Sequence, residues 1–488
     1  MQANVDISLS PAELSLASPL IEIILTALAV LLLDLYLKEE EKGALTWISV
    51  LGLIIASIMT LVFWPSGEAV FYSSLRVDGF SLFLTNLLLA AAGLTLLASI
   101  HYLRNAHIHK GEFHALILFG TLGMILMASA NDLILFFVAL ETMSVALYVL
   151  TGMWKERSEA GEAAMKYFLI GAFASGFLLY GIALIFGATG STNLDRISAV
   201  LGAGAFRGDL LLNAGVSLVL IGFAFKVAAV PFHFWAPDVY DGAPTPVTAF
   251  MAVAVKGAAF AAWIRILLYH LGSVGDRWSF VLWTMAILTM TVGNLFALTQ
   301  TSVKRMLAYS SIAHAGYLLI GIVAGGEAGG SAVLFYLLVY TLMTLGAFGV
   351  LMALKEHEKE ADSYRHFAGI GFRHPFLGVA MSIFMLSLAG FPPLGGFTGK
   401  FYLFRAAIET DYTVLAVMGV LNSLLSVTYY LRILVMMYME EGTGEARGFT
   451  GSPYLYAVIA ATALGTVWLG IVPDLPLELS RLSFISLR

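Results

Sequence analysis

Apolar runs of about 20 residues recur along this chain from residue 19 to residue 471. A hydrocarbon core about 30 Å thick needs about 20 apolar residues per helical crossing. Runs of that length predict about fourteen spans: 19–37, 44–64, 79–100, 114–129, 132–153, 162–188, 211–240, 245–270, 277–298, 304–324, 331–354, 376–409, 413–438 and 453–471. With 59% hydrophobic and only 12% charged residues, the expected fold class is an all-α integral membrane protein. The longest connections, 189–210 and 355–375, leave little room for a soluble domain. The net charge of −6, spread over many loops, says little about partners.

The first span lacks a basic leader and a small-residue cleavage site, so it is expected to be retained. The sequence contains no cysteine, which removes disulfides, thiolate-bound iron–sulfur clusters and covalently attached haem c. Electron transfer is therefore expected on other chains; a histidine-ligated haem has no pointer in the sequence.

Basic residues set the expected orientation. With the N-terminus outside, the cytoplasmic segments hold thirteen Lys and Arg, among them Lys355, Lys359 and Arg447. The opposite side holds six: Arg76, Arg196, Arg207, Arg277, Arg481 and Arg488. An even number of spans returns the C-terminus to the same outer side. The other seven, Lys166, Lys226, Lys256, Arg265, Lys400, Arg405 and Arg432, fall within spans or at their ends.

Two spans are too long for one crossing. Region 211–240 contains Pro231 and Pro237, and region 376–409 contains GFPPLGGF with Pro392 and Pro393. Proline removes a backbone donor and clashes with the preceding turn, so both helices should be interrupted. The freed groups are tolerated at membrane depth only where protein or a wet cavity satisfies them. The interruptions lie five spans apart, and an odd-numbered unit repeated once must be inverted in the membrane. This pattern predicts an inverted-repeat transporter with a broken helix in each half. The expected segments are 1–113 with three helices, a first repeat 114–270 of spans 4–8, a second repeat 271–440 of spans 9–13, and a final helix within 441–488.

An ionisable side chain at the bilayer centre costs about 2.5–3.5 kcal/mol on insertion scales, so it usually serves a pathway. Glu141 sits near the middle of the fifth span, with Ser144, Val145 and Tyr148 expected on its helix face. Its structural alternative is a neutral acid bonded to a neighbouring helix. Lys226 lies just before the first break, Lys256 in mid-span, and Lys400 just after the second break, at a position the repeat relates to Lys226. Snorkelling to the interface is the ordinary account of a membrane lysine, but apolar residues flank these three on both sides. Lys166 enters the sixth span early enough to snorkel. His314 occupies the repeat counterpart of Glu141, and His233 lies beside the first break. Either histidine could relay protons near neutral pH or simply pack. Arg265, Arg405 and Arg432 are read as anchors or ion-pair partners.

No Walker motif, dinucleotide-binding glycine loop or HExxH occurs. Glu141, Lys226 ahead of PFHFWAPDVYDGAPTPVTAF, Lys256, and LAGFPPLGGFTGKFYLF with Lys400 together resemble the antiporter-like proton-pumping subunits of respiratory complex I, over residues 75 to 440. Among these, the chain looks most like the subunit N type. EAAMKYFLIGAFASGFLLYG has that look, the subunit M type has a glutamate where Lys400 stands, and the segment after span fourteen leaves no room for the lateral arm of subunit L. The resemblance implies proton-channel roles for Glu141, Lys226, Lys256 and Lys400, with Lys166, His233 and His314 as further candidates. It also implies a non-redox subunit of a proton-translocating NADH:quinone oxidoreductase in the cytoplasmic membrane. NADH, FMN, iron–sulfur clusters and quinone would be bound by other subunits. The partners would be the other membrane and peripheral subunits, the lipid and protons, with no nucleic acid. A subunit of a Mrp-type sodium/proton antiporter or membrane-bound hydrogenase shares the same core. A stand-alone solute transporter is the more distant alternative.

Overall fold

A computed structural model of the chain describes residues 10–63, 67–106, 108–203, 209–356, 359–360, 362–441 and 452–487. Arg207, Arg447 and Arg488, which enter the charge balance, lie outside the described residues, as do the side chains of Arg277, Lys355 and Lys359. Helix occupies every expected span. The first three are α1 (Ser18–Asp34), α2 (Gly43–Val62) and α3 (Gly79–Asn105). The first five-span unit comprises α4 (Gly111–Ser129), α5 (Leu133–Thr151), α6 (Ser158–Thr189), the interrupted pair α7 (Leu210–Lys226) and α8 (Trp235–Gly242), and α9 (Thr245–His270). The second comprises α10 (Ser279–Leu298), α11 (Val303–Ala324), α12 (Gly326–Ala353), the interrupted pair α13 (Pro375–Ala389) and α14 (Gly395–Glu409), and α15 (Thr413–Met439). The last are α16 (Pro453–Ile471) and a short α17 (Asp474–Ile485). Among the described residues, eleven helices are long and apolar enough to cross a membrane unbroken.

Both interruptions fall where the prolines predict, and the freed polar groups find partners. The chain leaves α7 at Lys226, passes a cis Val230–Pro231 bond and resumes helix at Trp235. The Val230 N–H donates to Thr289 Oγ1 at 2.9 Å, and Trp235 Nε1 donates to the Phe225 carbonyl at 3.1 Å. In the second unit α13 stops at Gly390, whose φ of +92° is a left-handed helix end suited to glycine. A cis Pro392–Pro393 bond follows, and the Gly396 N–H donates to Ser387 Oγ at 3.0 Å. A Cβ at Gly396 would collide with the Ser387 carbonyl, so the two half-helices approach only because glycine stands there.

Burial separates the interior from the lipid-facing shell. The apolar window of α9 is wholly buried and that of α11 almost wholly, at 94%. Those of α6, α15 and α16 are only 39% buried, as expected for helices that meet lipid. The spine α9 is not a uniform α-helix: it widens into π-helical turns at Met251–Val255 and Ile264–His270. Lys256 follows the first of these. Such turns are rare and concentrate at functional sites.

Several expectations need correcting. Val145 is 55% exposed, so it faces outward and not with Glu141 toward the interior. The 189–210 connection carries a helix at Leu194–Gly202. Beyond the fourteenth span, α17 turns back onto the bundle: the Phe80 N–H donates to Ser486 Oγ at 2.8 Å, and Phe484 packs where Gly330 has no side chain. Leu194, Ile197 and Leu201 do fall at i, i+3 and i+7, but nine residues are too few for that period to stand out within a polar connection.

Candidate functional site: a buried row of lysines

Three lysines lie in the interior at nearly complete burial: Lys226 is 4% exposed, Lys256 3% and Lys400 3%. None has a carboxylate within ion-pair distance among the described residues. Lys226 closes α7 and donates from Nζ to Ser144 Oγ on α5 at 2.7 Å, with the rings of Phe225, Tyr148 and Tyr167 at 5.7–5.9 Å. Lys256 donates to both the carbonyl and the hydroxyl of Ser311 on α11, the latter at 2.6 Å, beside the Tyr340 ring at 5.3 Å. Lys400 donates to the Leu388 and Ala389 carbonyls at 2.9 and 3.2 Å, and to Ser423 Oγ at 2.9 Å. Those two carbonyls end α13, where the helix dipole is negative and the backbone acceptors have no partner one turn ahead. The break therefore serves as the counter-charge for Lys400.

The four candidates do not touch directly. Glu141 is partly buried on α5 and accepts from Ser175 Oγ on α6, one turn before Ser144 takes the Lys226 ammonium. The anticipated Glu141–Lys226 pair is thus not in direct contact: each bonds a different serine hydroxyl. Lys226 and Lys400 also differ in register. Lys226 precedes its break on the first half-helix, whereas Lys400 follows its break on the second. The repeat relates their location beside a break and not their sequence position.

His314 joins Lys256 to Lys400. Its ring lies 5.2 Å from that of Tyr340, which faces Lys256, and 5.5 Å from that of Tyr317, which faces Lys400 at 4.6 Å. Nδ1 is 2.6 Å from the Tyr336 hydroxyl and Nε2 3.1 Å from that of Tyr430, which also meets Ser310. A neutral imidazole has one donor and one acceptor nitrogen, and hydroxyls can match either tautomer.

The other two candidates stand apart. His233 is buried beside the first break with its ring 4.3 Å from that of Phe234, and its Nδ1 has no partner among the described residues. Lys166 is about one-third exposed and pairs with Asp238 of α8. Arg305 of α11 holds the other oxygen of that carboxylate at 2.6 Å and reaches Asp241 at 3.5 Å. Lys166 therefore belongs to an ionic bridge between the two repeats, outside the lysine row. Arg265 is an ion-pair partner, as expected, but its mate Asp78 was not foreseen.

The supporting hydroxyls were also missed, because serine and tyrosine inside a span look like ordinary helix packing. Only the helical steps from Glu141 to Ser144 and Tyr148 carried a signal.

Residues 130–426 match the family model described as NADH:quinone oxidoreductase/Mrp antiporter, transmembrane. A curated relative from Trichlorobacter lovleyi, NADH-quinone oxidoreductase subunit N, is 43% identical over 99% of each chain. The chain belongs to this subunit N family. It is thus a multi-pass membrane subunit of complex I, a proton-translocating oxidoreductase whose FMN and iron–sulfur clusters reside on other subunits. A chain of the solved respiratory complex I from Thermus thermophilus, with bound aureothin, superposes with a TM-score of 0.79 at 36% identity, over 94% of this chain and 98% of that one. A chain of the Mrp complex from Dietzia matches equally in shape, TM-score 0.79 over 98% of each chain, but at 23% identity, which speaks for the fold alone. The Mrp alternative is the less supported. Among the described residues no cluster of three or more His, Asp or Glu could hold a metal ion.

Proposed function

We propose that this subunit N moves protons along the buried row Glu141, Lys226, Lys256, His314 and Lys400, driven by NADH:quinone redox chemistry on other subunits. The observation that carries the reading is the absence of a carboxylate partner for any of three buried lysines among the described residues. A structural lysine at such depth is normally neutralised by an acid. One held only by hydroxyls, carbonyls and ring faces can take up and release a proton at modest cost. Glu141 tunes the first lysine electrostatically, and the broken helices supply polar backbone at membrane depth. Lys166 and His233 have auxiliary roles at most, since their contacts lie off the row. The four sequence segments 1–113, 114–270, 271–440 and 441–488 are the functional units of this reading. Both termini lie on the non-cytoplasmic side, the orientation that the basic loops favour.

The test is proton pumping by the assembled complex in vesicles. Lys400→Ala should leave the complex assembled and reduce NADH-driven acidification at least about tenfold, a barrier change of about 1.4 kcal/mol. Wild-type pumping with that variant overturns the proposal.

A further inference from the structure

Each lysine of the row bonds to the hydroxyl of a serine on a different helix: Lys226 to Ser144, Lys256 to Ser311 and Lys400 to Ser423. At the two ends of the row the serine also donates its own proton to a carbonyl. Ser144 Oγ donates to the Leu140 carbonyl at 2.5 Å, and Ser423 Oγ donates to the Ala389 carbonyl at 3.1 Å. We propose that Ser144, Ser311 and Ser423 are positioning residues that let each lysine hold its site both charged and neutral.

The argument is one of donors and acceptors. An ammonium has three N–H donors and no acceptor. Lys400 uses three acceptors: two helix-end carbonyls and the Ser423 oxygen. Once the ammonium passes a proton along the row, the amine retains two N–H groups and gains a lone pair. A carbonyl cannot donate to that lone pair, and a buried acceptor left unmatched is unfavourable. A serine hydroxyl can. Its O–H turns from the Ala389 carbonyl to the lysine nitrogen, while the two remaining N–H groups stay on Leu388 and Ala389. No carbonyl is orphaned, because Ala389 keeps its bond from Lys400. The same turn at Ser144 frees only the Leu140 carbonyl, which lies within the α5 helix. A carboxylate partner would favour the charged state alone. The hydroxyl serves both states, and reprotonation reverses the turn.

This inference rests on the lysine relay proposed above, so the experiment includes that relay as its control. Complexes bearing S144A, S311A and S423A, the matching threonine variants, and K226A, K256A and K400A are reconstituted and their pumping compared at equal assembly. The alanine variants should pump at least about tenfold more slowly. Threonine, which keeps the hydroxyl, should restore most of the rate at Ser423, where the side chain is only partly buried. Wild-type pumping in all three serine-to-alanine variants, with pumping lost in the lysine variants, overturns the serine inference alone. Equal loss in S423A and S423T with normal assembly overturns it as well, since the hydroxyl would then not be what matters. Undiminished pumping in the lysine variants removes the relay itself.

Discussion

Arg265 and Asp78 form a two-point ion pair with both side chains buried, Nη1 to Oδ2 at 2.8 Å and Nη2 to Oδ1 at 2.9 Å. The guanidinium also donates from Nε to the Ala128 carbonyl and lies over the Phe80 ring. Asp78 in turn caps the first turn of α3 through the Ser81 N–H. Asp78 thus ties the end of α9 to the start of α3, and the Arg265 guanidinium ties it to the last turn of α4. This pair is fully neutralised, unlike the row lysines. Removing one partner strands a buried charge, typically a loss of about 3–5 kcal/mol. Asp78→Asn should therefore lower the melting temperature and yield of the purified complex, whereas its effect on turnover per assembled complex should be small. A stable Asp78→Asn complex would show that the pair is dispensable for the fold.

Lys256 offers a test of charge type. Its ammonium donates to the Ser311 hydroxyl and carbonyl within a wholly buried helix. A guanidinium keeps the charge but does not release a proton near neutral pH. Lys256→Arg should reduce pumping nearly as much as Lys256→Ala, by about tenfold or more. Full turnover in the arginine variant would reduce Lys256 to a fixed positive charge.

Glu141 separates electrostatic from structural roles. Its carboxylate accepts from Ser175, and a glutamine carbonyl could accept the same bond. If the negative charge tunes Lys226, Glu141→Gln should depress pumping about as severely as Glu141→Ala. Retained activity in the glutamine variant, with loss in alanine, would make Glu141 a packing acid.

The Lys166–Asp238–Arg305 bridge should behave as a partly exposed ion network. Such pairs contribute about 0–1 kcal/mol and are screened by salt. Lys166→Ala should keep most of the pumping rate and change thermal stability only slightly. Asp238→Asn should do more harm, because it removes the carboxylate that Lys166 shares with Arg305, leaving Arg305 only the longer contact to Asp241 and weakening the tie from α6 to α11 across α8. Loss of pumping in Lys166→Ala equal to that in Lys256→Ala would place Lys166 on the path.

The sequence by itself determined the membrane class, the positions of the long apolar helices and the two breaks, because these follow from local physics. A run of about 20 apolar residues suits one crossing, and a proline removes its own backbone donor wherever the chain places it. It also marked Glu141, Lys226, Lys256 and Lys400, since a charge flanked by apolar residues is conspicuous in one dimension. Only the tertiary structure decided what each charge meets. Lys166 and Lys256 are both lysines inside predicted spans, yet one reaches Asp238 at a partly exposed edge and the other Ser311 in the interior. Val145 neighbours Ser144 in sequence but faces outward. Ser423 stands 23 residues from Lys400 and Asp78 stands 187 from Arg265. Periodicity within one helix says nothing of which neighbour it packs against, and a hydroxyl acquires its partner only when two helices are brought within hydrogen-bond reach.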